Sequence, residues 1–125
     1  MMKTKIESCN APKAIGPYSQ AILVGDTLYV SGNIPVNPQS GEVADGIVEQ
    51  SKQVFENMKA VLASADMDFS NVVKTTAFLT DLSNFATFNE IYASYFVAPF
   101  PARSCVEVSK LPKNVLVEVE CIAKK

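Results

Sequence analysis

Ile47, Ser51, Val54, Phe55, Met58, Leu62 and Ala65 recur at steps of three and four, and Glu49, Gln50, Lys52, Gln53, Glu56 and Lys59 stand between them. This spacing predicts an amphipathic helix from about Ile47 to Ala65, with one face that has to lie on something apolar. The segments around it supply that surface. Ala21 to Val24 and Thr27 to Ser31 are apolar runs joined by Gly25-Asp26, the pattern of a hairpin with a two-residue turn. A short strand is expected at Lys3 to Glu7, and others at Val72 to Leu79, Ala102 to Val108 and Val115 to Ala123.

A second helix is expected after Asp81 or Ser83, either of which can cap it. Its face is Phe85, Phe88, Tyr92, Tyr95 and Phe96, and Pro99 and Pro101 end it. Asn10 to Tyr18 and Asn33 to Gly46 are rich in Pro, Gly and Asn and read as loops, as does the turn at Lys110 to Lys113. The order is strands, helix, strand, helix, strands. It predicts an α+β fold, a six-stranded mixed sheet with two helices on one face, joined through right-handed crossovers. With both helices on one side, the other sheet face needs a cover, and a second subunit is the natural candidate. No composition break divides the 125 residues, so one domain spanning 1–125 is expected.

Composition narrows the chemistry. The chain has no His, which removes Ser-His and Cys-His nucleophile pairs and any His-ligated metal site. Cys9, Cys105 and Cys121 are sparse, odd in number and without a C-x-x-C pair, which suits a reducing compartment. The start of the chain carries no apolar signal region, and no apolar run reaches the roughly 18 residues that span a bilayer, so the cytoplasm is the expected location. The net charge is -2 and the pI about 5.1, with no basic stripe, so nucleic acid is not an expected partner.

Period-two alternation points Arg103, Cys105 and Glu107 one way and Ser104, Val106 and Val108 the other. Glu118 and Glu120 share one face of the last strand, opposite Val117, Val119 and Cys121. If these two strands pair, Arg103 and Cys105 lie beside a carboxylate. That is either a polar site or surface decoration of little energetic weight. A lone Cys105 is more often a small buried hydrophobe than a nucleophile, and nothing nearby activates its thiol. Tyr18, on the Gly16-Pro17 loop, either closes a pocket or packs on the domain. Ser31-Gly32-Asn33 either offers backbone N–H groups to a ligand or makes an ordinary turn. Asn89, on geometry alone, is a solvated helix residue.

Taken in order, these segments resemble the reactive-intermediate deaminases (RidA), formerly described as endoribonuclease L-PSP or translation inhibitors. The resemblance runs from Asn10 to Ala123. It is carried by Asn10-Ala11-Pro12, Ala14 to Tyr18, Ser31-Gly32, Ile34 to Pro38, Val73 to Thr76, Asp81-Leu82, Phe85 to Thr87 with Asn89, Phe100 to Val108, Leu111 to Lys113 and Val117 to Glu120. The resemblance implies a chorismate-mutase-like domain and a homotrimer with clefts between subunits. It implies hydrolysis of 2-iminobutanoate and 2-iminopropanoate to 2-oxo acids and ammonia, with no cofactor and no metal, protecting pyridoxal-phosphate enzymes from reactive enamines.

Residue by residue, Arg103 matches the arginine that grips the substrate carboxylate, a task suited to a planar two-pronged donor. Cys105 matches the position whose backbone contacts substrate and water, and Glu118 the glutamate that positions the water. Tyr18, Ser31, Gly32 and Asn89 match pocket positions. The stretch Phe96 to Phe100 looks shorter than in some relatives, which bears on the cleft rim. A 2-oxo-acid binding module without turnover and an RNA-cleaving translation inhibitor are the alternative functions, the latter disfavoured by the acidic pI and the missing His.

Overall fold

The computed structural model describes residues 2–125. Six strands form one sheet in the order β1-β2-β3-β6-β4-β5: β1 (Lys3–Ile6), β2 (Ala21–Val24), β3 (Thr27–Asn33), β4 (Val72–Leu79), β5 (Ala102–Glu107) and β6 (Val117–Lys124). Only β4 and β5 pair in parallel, and every other neighbour is antiparallel. Two helices, α1 (Gly46–Ser64) and α2 (Phe85–Tyr95), pack on one face. The sheet is mixed and six-stranded, as expected, and the fold is α+β.

Local chemistry explains the element ends. The β2–β3 turn places Gly25 at φ 60°, a left-handed conformation that glycine adopts without a side-chain clash. Helix α1 starts one residue before Ile47, because Gly46 at φ 79° makes the bend into it. It stops at Ser64, one residue short of the sequence-based limit, and Asp66 at φ 58° turns the chain away. The Asp81 carboxylate accepts the Ser83 N–H at 2.9 Å and opens a short 3₁₀ turn, Leu82–Asn84, that leads into α2. Neither expected residue caps α2 itself: Asp81 caps the 3₁₀ turn ahead of it, and the N-cap of α2 is Asn84, which makes no side-chain cap hydrogen bond. Strand β3 runs on to Asn33, so Ser31-Gly32 lies inside a strand that carries a register shift between Val30 and Asn33, not in a turn.

The core lies between helices and sheet. Leu28, Ala77, Leu79, Val117, Val119 and Ala123 meet Val54, Phe55, Met58 and Leu62, all fully buried. Asn57, buried in α1, donates to the carbonyls of Ile34 (3.1 Å) and Val36 (2.9 Å), which ties the loop after β3 onto the helix. The other sheet face carries Tyr29, 51% exposed, Val106, 43% exposed, and the half-buried Ile22, Phe78 and Ile122, with Lys74, Thr76, Glu118 and Glu120 among them.

The sheet order corrects one sequence-based expectation. β5 and β6 do not pair, because β4 lies between them. Arg103 and Cys105 stand opposite Thr75 and Ala77 of β4, on the helix side, whereas Glu118 stands opposite Phe78 on the open side. Within one chain, therefore, Arg103 has no carboxylate of β6 beside it. The reason is long-range: β6 enters the sheet by pairing with β3 from Thr27↔Lys124 onward, a contact no local pattern announces.

Candidate functional site

The first group of candidate residues gathers at the sheet edge under α2. Arg103 is half-buried, and its Nη1 donates to Asn89 Oδ1 at 2.7 Å. Its Cζ lies 4.8 Å from the centroid of the Tyr92 ring and 5.4 Å from that of Phe85. Both rings offer their electron-rich faces to the cation. Among the described residues, Arg103 forms no salt bridge. A hollow of about 390 Å³ opens beside it, lined by Asn89, Tyr92, Ala93, Phe100, Pro101 and Arg103. Arg103 is the sole charged group in that lining. Asn89 is thus not a solvated helix residue. Phe85, Asn89 and Tyr92 follow one another by four and three along α2, and this stripe was the signal in the sequence that they face one partner.

Cys105 follows two residues on, half-buried against the core. Burial pushes its thiol above the usual range, against an opposing pull from Arg103. A thiol held protonated is a poor nucleophile, so whatever Cys105 offers comes from its backbone or its shape.

The second group lies on the open face and the loop above it. A side chain's Cβ at position 32 would collide with the Glu118 carboxylate, whose Cδ lies 2.8 Å from that place. Glycine is the residue that lets Glu118 lie against β3. Burial, then the neighbouring Glu120, raises the Glu118 carboxyl above its ordinary value. Next to it, Ser31 Oγ donates to the Ser19 carbonyl at 2.6 Å and Ser31 N–H to the Gln20 carbonyl at 2.9 Å. Tyr18 is 54% exposed, and its hydroxyl accepts the Ile15 N–H at 3.3 Å. It rims a cavity and is not packed on the domain. That cavity, about 580 Å³, is lined in part by Lys13, Tyr18, Ser31, Gly32, Asn37 and Lys113.

The loop carrying Tyr18 is held by Gln20, which sequence reasoning missed. Its Nε2 donates to the Pro12 carbonyl at 2.7 Å and the Ser8 carbonyl at 3.2 Å, and its Oε1 accepts the Ser8 N–H at 2.6 Å. One half-buried amide stands in for the ladder that an irregular segment lacks. A polar residue just ahead of a strand carries no periodic signal, so nothing in the pattern marked it.

The seven candidate residues therefore fall into two sets. Arg103, Cys105 and Asn89 are together, as are Tyr18, Ser31, Gly32 and Glu118. Arg103 and Cys105 on β5 lie two strand spacings from Glu118 on β6 and three from Ser31 and Gly32 on β3, roughly 10 and 14 Å at about 4.8 Å per strand, and on the opposite face from Glu118. Neither the cavity beside Tyr18 nor the hollow beside Arg103 is lined by both sets. Among the described residues, no cluster of acidic, Cys or His side chains could hold a metal ion.

The class these features define is a small α+β fold with a half-buried arginine, unpaired with any acid among the described residues, in an edge hollow and a carboxyl raised by burial on its open sheet face. The chain belongs to the endoribonuclease L-PSP family, whose model matches residues 8–125. It is 48% identical over 98% of its length to a human 2-iminobutanoate/2-iminopropanoate deaminase, 90% of which is covered. It is 51% identical to a RutC family protein of Pyrococcus horikoshii, with 99% of each covered. Among solved structures, Escherichia coli TdcF with bound serine superposes with a TM-score of 0.94 at 43% identity, over 98% of both chains.

Proposed function

We propose that the chain hydrolyses reactive 2-imino acids and their enamine tautomers, 2-iminobutanoate and 2-iminopropanoate, to 2-oxo acids and ammonia. The observation that carries this reading is the state of Arg103, a half-buried cation oriented by neutral groups and paired with no acid among the described residues. A guanidinium left in that state suits a ligand carboxylate, which it meets through two parallel hydrogen bonds. The deaminase name of the human relative and the serine bound by TdcF both concern molecules with such a carboxylate and a nitrogen at the adjacent carbon.

In this reading the two residue sets belong to one site built between chains. A closed ring of three puts the Arg103 set of one subunit against Glu118 of the partner subunit, and the apolar open face supplies the contact. Arg103 fixes the carboxylate and so orients the imine carbon. Water near Glu118 and the Cys105 backbone adds its oxygen to that carbon while its proton passes to the imine nitrogen. The resulting carbinolamine then expels ammonia and leaves the carbonyl. Carbon keeps its oxidation state throughout, so no redox partner enters. An imine is already electrophilic, and positioning with modest acid-base help suffices. Removing such imines protects pyridoxal-phosphate enzymes, and a cytoplasmic setting goes with that task. RNA cleavage gains no support from the overall charge: at a pI of about 5.1 the chain as a whole does not attract a phosphate backbone.

The test is direct. Iminobutanoate is generated in situ from threonine and a dehydratase, and its decay is followed with and without the chain. The chain accelerates the decay, and Arg103→Ala abolishes the acceleration while the fold persists. An unchanged decay rate with the wild-type chain would reduce it to a 2-oxo-acid binding module, and full acceleration by Arg103→Ala would remove that residue from the mechanism.

A further inference from the structure

Arg103 poses a question that its own role does not answer: what holds a long, rotatable cation in one place when no acid among the described residues pairs with it? The obvious anchor, a carboxylate, would also consume the charge. The surroundings use another device. The Tyr92 ring lies under the guanidinium at 4.8 Å, and Tyr92 is 5% exposed. Its hydroxyl is hydrogen-bonded at 2.8 Å to Thr75 Oγ1 of β4, a side chain with no exposure at all. Thr75 is the residue directly opposite Arg103 in the parallel β4–β5 register. One end of Tyr92 is thus pinned to the strand beside Arg103, and its face is presented to Arg103 itself. Phe96 stacks on Tyr92 at 4.5 Å and keeps the ring from tilting.

We infer that Tyr92, locked by Thr75, is the positioning residue for Arg103, holding the guanidinium by its ring face so that its charge stays free for an incoming carboxylate. Tyr92 acts through Arg103 and touches no reacting atom. Phe85 at 5.4 Å and Asn89 at 2.7 Å complete a cradle of uncharged groups. The arrangement fits one chemical class of ligand, an anion with a single carboxylate to present. A ring quadrupole attracts a cation without neutralising it, and the attraction strengthens where water is excluded. The inference rests on the deaminase reading for the identity of the anion, but its evidence is the cradle's own geometry.

Its test uses 2-oxobutanoate as a stable monocarboxylate probe and 2-oxobutanamide as its uncharged counterpart. Dissociation constants for both are measured on the intact chain, with thermal melting alongside. Tyr92→Leu is expected to weaken 2-oxobutanoate binding by about 3- to 30-fold and to leave the amide unmoved. The double variant Thr75→Val with Tyr92→Phe keeps the ring, replaces both hydrogen-bonding partners by apolar groups and so melts near the wild type. It still loses several-fold in anion preference, because the ring is no longer pinned. Thr75→Ser alone, which keeps both hydroxyls, retains the wild-type preference. A purely structural role predicts the opposite pattern, with anion preference intact and only the melting temperature altered.

Should Tyr92→Leu not fold, the double variant carries the test. A folded double variant or Tyr92→Leu with full preference for the anion overturns the inference, and so does a wild-type chain that binds 2-oxobutanoate no better than the amide. A wild-type chain that leaves imines untouched, yet whose variants lose anion preference, upholds the cradle and refutes the deaminase reading alone.

Discussion

At the scale of single residues, Gly32 and Glu118 make a pair whose meaning is in their closeness. The carboxylate lies where a Cβ at position 32 would be. Gly32→Ala must therefore move the Glu118 side chain, and the flexible end of a glutamate moves at little cost to the fold. Its place in the proposed reaction is another matter, since a displacement of about 1 Å can cost on the order of a hundredfold in rate. The expected outcome is a Gly32→Ala chain that melts close to the wild type and accelerates imine decay at least about tenfold less. Parallel melting curves and decay assays check it. An unaltered rate would show that Glu118 has no fixed place in the chemistry.

Helices and strands show why some of this was legible in sequence and some was not. The helix α1 announced itself through its period, and Phe55 at the centre of that face meets the rings of Phe69, Phe88, Tyr92, Tyr95 and Phe96, all within 6.5 Å between centroids. Phe55→Ala is expected to destabilise the chain by about 3 to 5 kcal/mol, measured by urea unfolding. Tyr95 joins α2 to α1 differently, donating its hydroxyl to Glu56 Oε2 at 2.8 Å. Burial first, and Glu56 second, push its phenol up to about 12 from an ordinary 10.0. A raised value in the fold means that the protonated hydroxyl's stabilisation is complete below 10 and is lost as pH rises through about 12. The stability advantage of the wild type over Tyr95→Phe should vanish across that interval in denaturation curves taken at stepped pH. Periodicity yielded such faces, strand by strand. It could not yield the phase of one strand against another. Arg103 and Glu118 each had a readable face, yet β4 between them, and the entry of β6 beside β3, put those faces on opposite sides. The candidate residues were legible through the family resemblance. Their division into two sets was not, because it follows from pairings some ninety residues apart, such as Thr27 with Lys124.

For the molecule as a whole, that division and the open sheet face are two aspects of one problem. A single chain leaves Tyr29 and Val106 about half exposed on a face whose other side is a closed core. It also leaves the Arg103 set and the Glu118 set facing away from each other. The proposed closed ring would resolve both, burying the open face while bringing unlike sets together at each interface. Light scattering should then return about three times the chain mass of 13.5 kDa. The decisive variant is Val106→Glu. The Val106 side chain points to the open face, away from those of Arg103 and Cys105, and is 43% exposed outside the core, so the isolated fold should keep its circular dichroism. A charge at that point opposes burial of the face unless it finds a partner. Mass should fall toward that of one chain, and imine-decay acceleration should fall with it, because each cleft would be left with half its residues. A Val106→Glu chain that scatters as a single chain yet turns over at the wild-type rate would mean that Arg103 and its neighbours work without Glu118 of the partner subunit, and the two-chain site would have to be abandoned.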